Sequence, residues 1–113
     1  IDKKYFSPII EGMNNVVCGT EGTAGNCKIP DYEICGKTGT AQNPHGEDHS
    51  IFIAFAPKEN PQIAIAVYVE NGGWGSTWAA PIATFMIEKY LRNEISNLYL
   101  EEFILKGNLI STP

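Results

Sequence analysis

Five consecutive residues, Gly36 to Thr40, carry the side chains of this 113-residue sequence that are best suited to chemistry. Lys37 supplies a positive charge, and the Thr38 and Thr40 hydroxyls can donate hydrogen bonds to a carboxylate. Gly39 has no side chain, so an extended peptide can lie close to the backbone and pair with it as an added strand. The pattern predicts a site for a ligand that ends in a carboxylate.

The same residues also have a purely structural interpretation. A lysine on an edge strand discourages aggregation, and threonine favours strands in general. Thr38 and Thr40 share the parity of Ile34, so one of the two can face the core instead of a ligand. Thr40 is the better candidate for ligand contact.

The spacing around Lys37 does not match a phosphate-binding loop. Such a loop has the form GxxxxGK[ST], which requires a glycine five positions before Gly36. Asp31 occupies that position, and a strand pattern runs from Glu33 through the motif. Nucleotide-phosphate binding at Lys37 is therefore not expected.

The elements around the motif follow from hydrophobic spacing and turn residues. Residues 5–17 place apolar side chains at helical spacing and predict a first helix. Strands are expected at 33–41, 50–56 and 62–70, with turn-rich loops between them. The third strand is dense in Ile, Ala and Val, which is typical of a strand covered on both faces.

Two further helices are predicted after the strands. Ser76 or Thr77 is expected to cap the first of them, whose buried face is formed by Ile82, Phe85, Met86, Tyr90 and Leu91. The second is expected to start at a Ser96 cap and to stop at Gly107, burying Leu100, Phe103 and Ile104. Together these elements predict an α+β fold, a three-stranded antiparallel meander with flanking helices. The edge of so small a sheet can support self-association of the isolated chain.

Composition and charge restrict the class of protein. A net charge of −5, with Lys and Arg scattered, argues against a nucleic-acid partner. Apolar stretches such as residues 63–69 fall far short of the roughly 20 residues that a membrane-spanning helix needs. The chain is expected to form one small domain or part of one.

Cys18, Cys27 and Cys35 fit no CxxC spacing. Unpaired thiols are favoured over a Cys18–Cys27 disulfide, which remains an alternative in an exported protein. Cys35 is expected to be a small core residue.

Other residues invite a functional interpretation but favour a structural one. His45 and His49 are four residues apart, yet Pro44 and Gly46 exclude the helix that would turn this spacing into a metal site, so no metal is expected. A structural or cleft-lining role is expected for His49, while Glu47 and Asp48 are expected to be solvated.

Two tryptophans and a glycine-rich loop also have both a functional and a structural interpretation. Trp74 and Trp78 can form an aromatic wall beside a groove, although anchoring of the following helix is the favoured role. The loop from Gly19 to Gly25 can serve as a flap, but its glycines are more typical of simple turns.

Beyond the motif itself, an ordered set of segments resembles one protein family. The sequence from about Gly12 to Leu91 is similar to the class B, elongation-type penicillin-binding proteins, which are peptidoglycan D,D-transpeptidases. The resemblance is carried by K-T-G-T-A-Q at 37–42, D-H at 48–49, F-A-P at 55–57, N-P at 60–61 and V-E-N-G-G at 69–73.

The resemblance implies a partial penicillin-binding fold and a role in cell-wall cross-linking. Lys37, Thr38, Gly39 and Thr40 would bind the carboxylate of a D-alanyl-D-alanine stem peptide or a β-lactam, with Lys37 and Thr40 serving catalysis. The Thr40 backbone N–H would form half of an oxyanion hole, and no cofactor would be needed. The parent would be anchored in the cytoplasmic membrane, with this part on its outer, periplasmic side among cell-wall elongation partners.

The family's acylating serine is not found in this sequence. The S-x-x-K and S-x-N motifs match none of the five serines, at 7, 50, 76, 96 and 111. Residues 1–113 are therefore expected to be the carboxy-terminal portion of a transpeptidase domain, inactive alone. A serine β-lactamase or D,D-carboxypeptidase and a non-catalytic penicillin-binding sensor domain remain alternatives.

Overall fold

The computed structural model describes residues 1–108, so Ser111 lies outside the described part of the chain. A 3-10 turn at Lys3–Tyr5 leads into helix α1, and a second such turn, Gly25–Cys27, precedes the sheet. The main elements are α1 (Phe6–Cys18), β1 (Cys35–Ala41), β2 (His49–Ala56), β3 (Ile63–Val69), α2 (Ala79–Arg92) and α3 (Leu98–Lys106). The predicted order of one helix, three strands and two helices is confirmed. None of the helices within residues 1–108 has both the length and the apolar character that a membrane span requires.

The three strands form an antiparallel meander in the order β1-β2-β3. The register places Thr38 opposite Phe52, and Phe52 opposite Val67. Cross-strand partners share a face of the sheet, so these pairs assign every strand residue to one of two faces. The predicted α+β class and the meander are confirmed.

Helix α2 covers the face that carries Phe52. On β2 the residues of this face, Ser50, Phe52, Ala54 and Ala56, are at most 5% exposed. Helix α2 packs against β2 and β3 through fully buried small and branched side chains, chiefly Ala79, Ala80, Ala83 and Ile87. Alanines on the helix allow its backbone to approach the sheet closely.

The predicted buried face of α2 was wrong for Met86 and Tyr90, whereas Phe85 and Leu91 pack against the core. Met86 is 54% exposed and Tyr90 is 63% exposed, while Ile82, Phe85 and Leu91 are only half-buried. The prediction was based on the larger apolar side chains of α2. These lie on a face that is rotated around the helix from the face formed by the alanines. Close packing rather than side-chain size decided which face is buried.

In the described part of the chain, strand β3 is covered on one face only, contrary to the prediction. Ile63, Ile65, Val67 and Val69 are half-buried and point toward α2, whereas Ala64, Ala66 and Tyr68 are exposed. Ala64 and Ala66 on the exposed face count as apolar residues, so they concealed a pattern of period two. On the same open face of the sheet, Ile53 is 48% exposed.

The caps of the last two helices also differ from expectation. Asn97, not Ser96, caps α3, because its side chain accepts from the Leu100 N–H at 3.0 Å. Neither Ser76 nor Thr77 caps α2; the Ala79 N–H donates instead to the Ser50 hydroxyl at 3.1 Å. Helix α3 ends before Gly107 as predicted, and of its three predicted buried residues Leu100 is buried, Ile104 is half-buried and Phe103 is 50% exposed.

An ionic cluster fixes the end of α2 to the loop before β1. Glu88 is 1% exposed and pairs with Arg92 one turn later, and it also accepts from the Ser96 N–H at 3.1 Å. Arg92 reaches Glu94 at 2.9 Å and Asp31 at 3.7 Å. The charge of Glu88 is therefore compensated where it is buried.

Candidate active site

The Lys37–Thr40 segment lies on β1, which within residues 1–108 has a neighbouring strand on one side only. Lys37 and Thr40 are exposed, and Thr38 and Gly39 are half-buried. Lys37 pairs with Ile53, and Thr40 pairs with Ser50. The lysine and the two hydroxyls therefore lie on opposite faces of the strand, and what they share is its open edge.

The backbone at this edge has groups that β2 does not use. The Lys37 ammonium donates to the Thr38 carbonyl oxygen at 2.9 Å, which indicates that this carbonyl faces the open side. In an antiparallel pair, residues two apart direct their backbone groups to the same side. The Thr40 N–H then points to the open edge as well, where a bound peptide or a developing oxyanion can reach it.

The two glycines of the motif have different structural explanations. A Cβ at Gly36 would lie 2.3 Å from the end of the Phe52 ring, so internal packing requires this glycine. A Cβ at Gly39 would meet nothing closer than the Ile51 Cβ at 3.5 Å, an ordinary contact. Packing within the described chain therefore leaves Gly39 unexplained, as expected if it makes room for a ligand.

A buried serine fixes the turn beside this edge. The Ser50 hydroxyl, fully buried, donates to the Trp74 carbonyl at 2.9 Å while it accepts from the Ala79 N–H. The turn approaches the strands so closely that a Cβ at Gly75 would lie 2.4 Å from the Ile51 carbonyl oxygen and 2.7 Å from that of Gly39. No local pattern indicates this role of Ser50, because its partners are 24 and 29 residues away along the chain.

The two tryptophans have different roles. Trp74, for which a core anchor was favoured, is 74% exposed on the turn that Ser50 holds. Trp78 is half-buried and stacks on Phe103 with ring centroids 5.7 Å apart, which joins α2 to α3. The anchoring role is confirmed for Trp78 and wrong for Trp74.

The loop between β1 and β2 is fastened to the turn after β3. Asn43 donates to the Asn71 side chain at 2.6 Å, and the Asn71 N–H donates to His49 Nδ1 at 3.0 Å. His49 also packs against Tyr68, which confirms its structural role. Asp48 is not merely solvated, because it accepts from the Asn43 N–H at 3.0 Å. Glu47 is exposed, although its backbone carbonyl accepts from the Asn43 side chain.

Thr23 is a neighbour of the motif that sequence reasoning did not identify. Its hydroxyl oxygen lies 3.5 Å from that of Thr38. The two threonines are 15 residues apart, and only the folding of the glycine-rich loop brings them together. A flap role is not indicated, since the loop is hydrogen-bonded to α1.

The three cysteines are free, as favoured from the sequence. Cys35 is fully buried, which confirms the prediction of a core residue. Burial raises the pKa of the Cys27 thiol and that of the Cys35 thiol to about 11. Neither thiol is a nucleophile near neutral pH. Within residues 1–108 no three His, Cys, Asp or Glu side chains gather into a metal site.

Comparison with known proteins gives a family for this arrangement. Residues 1–88 match the family model described as the penicillin binding protein transpeptidase domain. The chain is 38% identical over 82 residues to the peptidoglycan D,D-transpeptidase MrdA of Haemophilus influenzae. That alignment covers 73% of this chain and 12% of MrdA.

Solved structures agree with the sequence match. PBP2 of Pseudomonas aeruginosa in complex with WCK 5153 superposes with a TM-score of 0.74 at 41% identity, over 87% of this chain and 22% of that one. Penicillin-binding protein A of M. tuberculosis, as its imipenem acyl-enzyme complex, gives a TM-score of 0.69 at 34% identity over 81% of this chain and 20% of that one. The chain therefore spans about an eighth to a fifth of these relatives. A match over most of its residues, in sequence and in structure, shows that the chain belongs to the penicillin-binding protein transpeptidase domain family.

Proposed function

We propose that this chain is the substrate-carboxylate and oxyanion part of a peptidoglycan D,D-transpeptidase. The observation that carries the proposal is the open edge of β1, where Lys37 and Thr40 are exposed and the Thr38 carbonyl is within reach of the Lys37 ammonium. If these residues served the hydrophobic core, their side chains would be packed under a helix. Here they are accessible to a ligand that runs along the strand.

The ligand chemistry follows from the groups at that edge. A stem peptide ending in D-alanyl-D-alanine can lie alongside β1 as an added strand, with its terminal carboxylate accepting from the Thr38 or Thr40 hydroxyl near the Lys37 charge. Gly39 leaves room for the peptide backbone. A β-lactam with a carboxylate presents the same features.

The reaction would be an acyl transfer in two steps, first to a serine elsewhere in the longer protein and then from that serine to an amine. That serine attacks the carbonyl of the penultimate D-alanine, and the Thr40 N–H stabilises the negative charge on the carbonyl oxygen. The terminal D-alanine leaves, and the acyl group passes to the amine of a neighbouring stem. The imipenem acyl-enzyme complex of the mycobacterial relative supports the acylation step.

We also propose which portion of the transpeptidase domain this chain forms. Residues 1–113 form the carboxy-terminal portion of the transpeptidase domain, and the S-x-x-K serine lies in the preceding portion. The small share of MrdA that the chain covers supports a parent protein much longer than this chain. The parent protein is membrane-anchored, this part lies on the outer side of the cytoplasmic membrane, and other proteins of cell-wall elongation are its partners.

Replacement of Lys37 tests the function. In the full-length protein, Lys37→Ala should slow acylation by a fluorescent penicillin about 10- to 100-fold, since losing the positive charge beside the carboxylate should cost about as much as losing one charge-assisted hydrogen bond. Lys28→Ala is the matched control, because Lys28 is also exposed but lies outside the sheet. Equal labelling rates in the Lys37 variant and the wild type would refute the assignment of the site.

A further inference from the structure

The glycine-rich loop between α1 and β1 holds one hydroxyl beside the candidate site. Thr23 is exposed, and its oxygen lies 3.5 Å from the oxygen of the half-buried Thr38 hydroxyl. Thr38 belongs to the carboxylate-binding set of the proposed function, whereas Thr23 has been given no role.

The residues on both sides of Thr23 are fixed to α1. The Ala24 N–H donates to the Val16 carbonyl at 2.9 Å, and Ala24 is fully buried. On the other side, Gly22 lies so close to the helix that a Cβ there would be 2.3 Å from the Val16 carbonyl oxygen. Thr23 is therefore presented from a short segment that is anchored at both ends.

The distance between the two oxygens leaves both hydroxyls able to form further hydrogen bonds. It exceeds the 2.7–2.8 Å or so that is usual for an O–H···O hydrogen bond, so the contact is weak without a ligand. Each hydroxyl has one proton to donate and two lone pairs to accept. If Thr38 donates its proton to a carboxylate, its oxygen becomes a better acceptor, and Thr23 is the neighbouring donor that can use it.

We propose that Thr23 is a positioning residue of the carboxylate site, whose hydroxyl donates to the Thr38 oxygen and thereby directs the Thr38 proton toward the ligand. This inference rests on the proposed function. Thr23 acts through Thr38 and does not take part in the acyl transfer. Its effect is on the binding of ligands that carry a free carboxylate, before any covalent bond forms.

The test separates binding from acylation in the full-length protein. The dissociation constant of the pre-acylation complex and the acylation rate constant are measured by stopped flow with a carboxylate-bearing penicillin and with its methyl ester. Thr23→Val removes the hydroxyl but keeps the shape, and Thr23→Ser keeps the hydroxyl. Thr20→Val is the matched control, because Thr20 is an exposed threonine of the same loop.

The expected result is a weaker pre-acylation complex in Thr23→Val, about three- to tenfold for the free penicillin, which is the usual effect of one lost hydrogen bond. Thr23→Ser and Thr20→Val should bind as the wild type does, and the ester should not distinguish Thr23→Val from the wild type. In a Thr38→Val background, Thr23→Val should have no further effect, because the two residues act in series.

Three results would overturn the inference. Thr23→Val could bind the free penicillin as well as the wild type, Thr23→Ser could lose as much as Thr23→Val, or Thr23→Val could weaken the ester equally. If Thr38→Val weakens binding while Thr23→Val does not, only the role of Thr23 fails. If neither Thr38→Val nor Lys37→Ala affects the free penicillin, the proposed function fails with it.

Discussion

Thr40 lies directly opposite Ser50 across the β1–β2 ladder. Thr40 is exposed at the open edge of the sheet, and Ser50 is fully buried, where it holds both the Trp74 carbonyl and the first N–H of α2. One cross-strand pair thus joins the candidate oxyanion residue to the serine that fixes the adjacent turn. The geometry of the edge should depend on both residues in different ways.

Replacement of Thr40 distinguishes its backbone from its side chain. Thr40→Pro removes the N–H, and proline is tolerated on an edge strand where that N–H faces outward. Acylation by penicillin should slow about 100- to 1000-fold, which is the usual effect of losing one oxyanion donor. Thr40→Val keeps the N–H and loses only the hydroxyl, so its acylation should slow less. Equal rates in the two variants, measured by single-turnover labelling, would argue against an oxyanion role for the Thr40 N–H.

The two glycines of the motif should separate folding from function. Gly36→Ala places a methyl group against the Phe52 ring, so the melting temperature should fall by at least about 2 °C. Gly39→Ala meets only ordinary contacts, so the melting temperature should hold while acylation slows. Thermal unfolding and penicillin labelling of both full-length variants test this contrast. A Gly39→Ala variant that labels at the wild-type rate would show that no ligand passes close to that residue.

Ser50→Ala should destabilise the domain through the turn. The change leaves the Trp74 carbonyl and the Ala79 N–H without their hydrogen-bond partner, at a cost of about 1–3 kcal/mol in the free energy of unfolding. Ser76→Ala is the control on the same turn and should change that free energy by less than about 0.5 kcal/mol. Urea titration of the full-length protein measures both values, and equal effects would contradict the role assigned to Ser50.

The buried thiols predict how stability depends on pH. Burial raises the pKa of Cys27 and of Cys35 from 9.0 to about 11, so the folded state favours the neutral thiols. That contribution is complete below pH 9 and is lost as the pH rises toward 11. The free energy of unfolding should therefore fall between pH 9 and 11, and it should fall less steeply in Cys35→Ala. The same slope in variant and wild type would contradict the effect of burial.

Local sequence signals predicted the order of elements but not the contacts between them. Turn residues and the spacing of apolar side chains located all three strands to within two residues of their observed ends. The cap of α2 was missed because a serine in another strand provides it. No pattern in a short window of sequence contains that information.

In the candidate site too, local sequence patterns predicted which residues take part but not how they are arranged in space. The residue types of 37–40 predicted a carboxylate site, and the structure leaves Lys37 and Thr40 accessible, but strand parity puts them on opposite faces. The lysine and the two hydroxyls therefore do not lie side by side on one face of the sheet. They are near each other only at the open edge of β1. Thr23 could not be foreseen, because the loop that carries it has no periodic pattern.

The most direct measurement is a crystal structure of the full-length protein acylated by a carboxylate-bearing β-lactam. The predicted result is a ligand alongside β1, with its carboxylate about 2.5–3.0 Å from the Thr38 or Thr40 hydroxyl and near the Lys37 ammonium. Its acyl oxygen should lie about 2.7–3.1 Å from the Thr40 backbone nitrogen. A covalently bound ligand that leaves the β1 edge untouched, with its carboxylate held by other residues, would contradict the account.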